Sequence, residues 1–80
     1  MRLDKFLKVS RILKRRTVAA DACDSGKVTV NGREGKPGTK LKTGDEITIE
    51  FGSSTLKLRV LELNEKAGKA DAGLMYEIIA

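Results

Sequence analysis

Eighty residues, 40% of them apolar, allow one domain with one core. Without histidine, and with a single cysteine, the chain has no zinc site, no histidine acid–base chemistry and no internal disulfide, and three aromatics (Phe6, Phe51 and Tyr76) are too few for a base-stacking platform like that of an oligonucleotide-binding barrel. The net charge of +5 is local: residues 1–16 hold seven of the sixteen basic residues and one acid, net +6, while the other 64 carry nine bases and ten acids, net −1. Such a concentration is a footprint for a polyanion, with nucleic acid the leading candidate.

The lone cysteine fits a reducing compartment. Lys or Arg returns every third residue after Met1, so no signal-peptide core follows, and no stretch nears the roughly 20 apolar residues of a membrane span. The expected location is cytoplasmic.

Leu3, Phe6 and Leu7 form one apolar helical face, with Arg2, Lys5 and Lys8 pointing away from it. Val9, Ile12 and Leu13 drift off that face, so a break is expected near Ser10, whose hydroxyl would cap a short second turn from Arg11 to Lys14. Thr17 reads as the N-cap of the next helix, with an apolar stripe of Val18, Ala19, Ala22 and Cys23 and with Asp21 and Asp24 outside. Gly26 is its left-handed stop. Arginines just before a helix N-terminus oppose the dipole, at a cost on the order of 0.3–1 kcal/mol. Arg15 and Arg16 beside free amide donors instead make a phosphate pocket.

From Lys27 the period changes to two, and Asn31-Gly32 is the pair a type I′ hairpin prefers. The return strand, Arg33 to Lys36, reads as a short edge strand, and Leu41 anchors the chain ahead of a turn at 42–45. Ile47, Ile49 and Phe51 alternate as a strand, Gly52 to Ser54 turn, and Leu56, Leu58 and Val60 return, with a strand end or bulge at Leu61. A loop is expected from Asn64 to Gly73. A last strand is expected from Leu74 to Ala80, with Leu74, Tyr76 and Ile78 on one face and Met75 and Ile79 on the other. Phe51, Tyr76 and Cys23 are expected in the core. The fold class is α+β, with N-terminal basic helices packed on a small antiparallel sheet.

The run Arg2-Leu3-Asp4-Lys5-Phe6-Leu7, then Arg16-Thr17 with Ala20, Gly26 to Gly32, Lys36-Pro37 and Gly44-Asp45, resembles the RNA-binding domain named after small-subunit ribosomal protein four. Glu34, Gly35 and Gly38 depart from its usual pattern. The opening to Thr17 and the ending around Met75-Tyr76 are similar to short stand-alone members that act in bacterial ribosome-associated quality control, relatives of the fifteen-kilodalton heat-shock protein. The resemblance implies one RNA-binding domain over 1–80, with the helical motif at 1–45 and added strands at 46–80. It implies a non-enzymatic factor on the obstructed large ribosomal subunit that contacts its rRNA and peptidyl-tRNA and supports alanine tailing with an RqcH-type partner. The RNA-contacting arginines would be Arg2 and Arg16.

Lys5, Lys8, Arg11 and Arg15 join them as phosphate contacts, together with Thr17 at the helix start and Lys27 and Arg33 flanking the hairpin. Arg16 could instead pair with Asp21 or Asp24, and Asp4 reads as a first-turn acid that orients Lys8 or an arginine. Asn31 is there for its tolerance of positive φ. No catalytic residue, metal or cofactor is expected. The rival readings are a general RNA chaperone or ribosome-assembly factor, a targeting domain acting with a separate enzyme, and a protein-interaction module that uses the sheet.

Overall fold

The computed structural model describes residues 1–66 and 68–79; Ala67 and Ala80, in the expected loop and final strand, lie outside the described residues. Helix α1 spans Leu3–Val9 and buries Leu3, Phe6 and Leu7 completely. Each such side chain contributes about 1.5–3 kcal/mol on leaving water. No side chain caps α1. Its first free amides are met by a loop instead: Leu3 N–H donates to Thr39 O at 2.8 Å and Asp4 N–H to Pro37 O at 3.1 Å.

The break falls at Ser10 as expected, but no second helical turn follows it. Ser10 is the buried C-cap of α1, and its hydroxyl donates back to Leu7 O instead of capping forward. Arg11 then turns left-handed at φ +62°, and its N–H bonds Lys8 O. Helix α2 spans Arg16–Asp24, two residues earlier than a Thr17 cap would start it. Arg15 is the extended N-cap and Thr17 sits within the first turn; neither the cap nor Thr17 makes a side-chain capping bond. Ala19 and Cys23 are buried and Ala22 packs against the core, whereas Val18 lies 46% exposed, off the stripe assigned to it. Gly26, at φ +74°, ends the helix. Gly26 N–H donates to Cys23 O and Lys27 N–H to Ala22 O, the paired bonds of a Schellman stop.

Five strands follow, β1 Val28–Val30, β2 Arg33–Glu34, β3 Glu46–Phe51, β4 Ser54–Val60 and β5 Tyr76–Ile78, in one antiparallel sheet ordered β2-β1-β3-β4-β5. Asn31 and Gly32 take φ of +52° and +80°, as a type I′ turn requires. Asn31 also ties that turn to β3: its Nδ2 donates to Asp45 Oδ1 and its Oδ1 accepts Glu46 N–H. Val28, Val30, Ile47, Ile49, Leu58 and Val60 form the inner face and share one core with both helices.

Three expectations for the β region change. Phe51 is 42% exposed, because the helix layer covers β3 only as far as Ile49 and Phe51 stands beside the Gly52-Ser53 turn. Tyr76 is half-buried and packs on the core. The last strand is shorter than expected. A single 3-10 turn, Ala72–Leu74, precedes it, leaving Leu74 exposed and Met75 fully buried, with Met75 O accepting Leu61 and Glu62 N–H. No helix among the described residues is long and apolar enough to cross a membrane.

Candidate nucleic-acid interface

The start of α1, the start of α2 and the 36–41 loop meet at Asp4. The loop reaches this junction because Arg2 and Lys40 form a β-bridge and Leu41 N–H donates to Met1 O. A Cβ at Gly38 would lie 4.0 Å from Arg2 Nη2, an ordinary contact, so the loop's path beside the arginine does not require glycine there. The Asp4 side chain is only 6% exposed, and its Oδ1 accepts Lys5 N–H at 2.8 Å. Its Oδ2 accepts Arg2 Nη2 and Arg16 Nε, each at 3.3 Å.

A buried carboxylate without partners is costly, so Asp4 holds both guanidinium groups in place. Each guanidinium has five N–H donors and Asp4 engages one. Arg2 and Arg16 remain 54% and 48% exposed, so donors that Asp4 does not engage are accessible from solvent. From spacing alone Asp4 is expected to orient Lys8 or an arginine, and Asp21 or Asp24 could pair with Arg16. The geometry gives Arg16 to Asp4, twelve residues away and on another helix.

The remaining cations divide. Lys5 pairs with Glu65 at 3.3 Å. Lys8, Arg11 and Lys14 surround a surface hollow of about 370 Å³, with Val9 and Leu13 on its wall. Arg15 and Thr17 are exposed at the α2 start. Lys27 lies beyond the opposite end of that nine-residue helix, which is about 13 Å long. Arg33 lies on edge strand β2, two residues before Gly35, where β2 backs onto Leu3. Among the described residues no hydrogen bond or ion pair ties Lys27 or Arg33 to Asp4. Lys14, in the same basic run, is not among the contacts expected from the sequence, and the signal that could have found it is its continuity with Arg15 and Arg16.

Cys23 lies inside the helix layer. Burial, with the charges of Asp4 and Asp24 behind it, pushes its thiol up to about 11, so it is uncharged at neutral pH and acts as a small apolar side chain. Among the described residues no group of His, Cys, Asp or Glu could hold a metal ion.

The family model of the S4 domain matches residues 1–47, the stretch that holds both helices, the β1–β2 hairpin and the cations at the two helix starts. Over its whole length the chain is 52% identical to the RQC P-site tRNA stabilizing factor of Streptococcus pneumoniae, covering 91% of that protein. It is 46% identical to the Bacillus subtilis protein of the same name, over 99% of this chain and 92% of that one. The structure of Vibrio cholerae heat shock protein 15, described as trimeric, superimposes with a TM-score of 0.90 at 30% identity, over 100% of this chain and 82% of that one. The chain belongs to the family of the RQC P-site tRNA stabilizing factors.

Proposed function

We propose that the protein is a non-enzymatic RNA-binding factor of ribosome-associated quality control. It docks on the rRNA and peptidyl-tRNA of an obstructed large ribosomal subunit in the cytoplasm, and supports alanine tailing of the stalled chain together with an RqcH-type partner. The observation that carries this reading is the pair Arg2 and Arg16, held at one buried carboxylate on a helical layer whose first sixteen residues have net charge +6. Two fixed guanidinium forks recognise the spacing of backbone phosphates, which a structured RNA presents and a flexible strand does not. The names of the relatives point the same way.

In this mechanism the motif at 1–45 makes the RNA contacts and the strands after it complete the sheet that fixes the helices. The factor holds tRNA in place, and the ribosome's own centre forms the peptide bond. Co-sedimentation with purified stalled and empty large subunits tests this, using wild type and an Arg2→Ala, Arg16→Ala double variant whose fold has been verified by circular dichroism. Wild type is expected to pellet preferentially with stalled subunits while the double variant stays in the supernatant. Equal pelleting of the two proteins would refute the arginine grip, and equal binding to stalled and empty subunits would favour a general rRNA-binding or assembly role.

A further inference from the structure

The hollow beside Arg11 has a composition that phosphate contact alone does not explain. Lys8, Arg11 and Lys14 ring it, and among the described residues none of the three forms an ion pair, in contrast to Lys5 with Glu65. Its wall also includes Val9 and Leu13, both only half-buried. An RNA duplex laid across this rim would touch the cations with its backbone and leave the two apolar side chains facing water. A paired, stacked base cannot leave its helix to cover them.

The backbone supplies a second observation. Arg11 occupies the left-handed position after a helix C-cap, where glycine is the usual residue because any Cβ is strained. A bulky residue at a strained position points to use of its side chain. A guanidinium is also a flat surface on which an unstacked base can lie. The volume, about 370 Å³, is at the low end of small-ligand clefts, which begin near about 300 Å³, and suits a single nucleotide.

We propose that this hollow receives one unstacked nucleotide of the bound RNA. Its base lies on Arg11 and against Val9 and Leu13, and its flanking phosphates are met by Lys8 and Lys14. The proposal rests on the RNA-binding reading and adds a preference to it: the protein selects structured RNA with an extruded base near the Arg2–Arg16 grip. Lys14, Arg15 and Arg16 are consecutive, so one strand can run from the grip to the hollow.

The test uses two RNA hairpins that differ by a single bulged 2-aminopurine, with affinity read by fluorescence anisotropy and base burial by 2-aminopurine emission. Wild type is expected to prefer the bulged hairpin by about tenfold, with a change in emission on binding. Arg11→Gly suits the left-handed backbone and is expected to unfold in urea at or above the wild-type midpoint, while its preference falls to within about twofold. Lys14→Gln, at an exposed position, is the second variant, with the preference expected to fall about threefold. Adenosine monophosphate carries a phosphate and adenine, the 6-amino isomer of 2-aminopurine, and at micromolar concentration it is expected to leave the preference intact. The proposal is overturned if wild type binds the two hairpins equally, if Arg11→Gly weakens both by the same factor, or if the free mononucleotide abolishes the preference. A protein that binds neither hairpin overturns the RNA-binding reading as well, whereas failure to distinguish stalled subunits with the bulge preference intact overturns only the ribosomal role.

Discussion

Asp4 is the one acid among the first sixteen residues, and it joins arginines at the starts of two helices through a single oxygen. Two effects of replacing it oppose each other. Asp4→Asn raises the net charge of residues 1–16 from +6 to +7, which by long-range attraction alone would tighten RNA binding. It also removes both ion pairs that aim Arg2 and Arg16. Fixed charge-assisted donors are the stronger contribution, so RNA affinity is expected to fall about tenfold despite the added positive charge. The asparagine carbonyl can still accept Lys5 N–H, so α1 should persist, and a thermal melt by circular dichroism checks that point. Titration of a labelled RNA hairpin by anisotropy gives the affinity. Tighter binding would mean that the two arginines act only as diffuse charge.

Helix α1 starts on acceptors lent by residues 37 and 39, and this is the kind of feature a sequence hides. The local signals were legible: Gly26 as a Schellman stop, Asn31-Gly32 as a primed turn, and alternating Ile47, Ile49, Leu58 and Val60 as an inner face. Each depends on a few adjacent residues, so spacing suffices to read it. The starts of the helices depend on distant chain. Thr17 looked like a cap because hydroxyls often are, yet α2 begins at Arg16 without one. The candidate cations were legible as a group, but the Asp4–Arg16 pair spans twelve residues and two elements. Phe51 failed for a related reason, since alternation predicts which way a residue points but not how far the helix layer extends. Gly35, which departs from the family pattern, has its reason in packing. A Cβ there would stand 2.7 Å from Leu3 Cδ2 and 3.1 Å from Val28 O, and Leu3 has no room to retreat because it is fully buried. Gly35→Ala is therefore expected to destabilise the fold by about 1–3 kcal/mol, read as a lower urea midpoint at unchanged m-value. An unchanged midpoint would show that β2 can lift from α1 without cost.

Across the whole molecule the positive excess stays on one side. The first sixteen residues carry it, while on the opposite face of the sheet, outward by the inward placement of Ile47, Ile49, Leu58 and Val60, Glu46 and Glu77 pair with Lys57 and Arg59, and Glu50 has no ion pair among the described residues. Salt decides whether one face senses the other. The molecule measures 28 × 25 × 22 Å, more than twice the Debye length of about 8 Å at physiological ionic strength. Under those conditions an RNA docked on the helices barely feels Glu50, and Glu50→Gln is expected to change affinity by less than about twofold. Arg16→Gln raises no such question of distance: it should weaken binding and lower the slope of log affinity against log salt by about one. At about 0.01 M salt the Debye length grows to about 30 Å and exceeds the molecule, so Glu50→Gln should then tighten binding measurably. Anisotropy titrations of the three proteins across that salt range separate the cases. Tightening by Glu50→Gln at physiological salt, as large as the loss from Arg16→Gln, would mean that total charge governs binding and that the placement of the arginines at Asp4 does not.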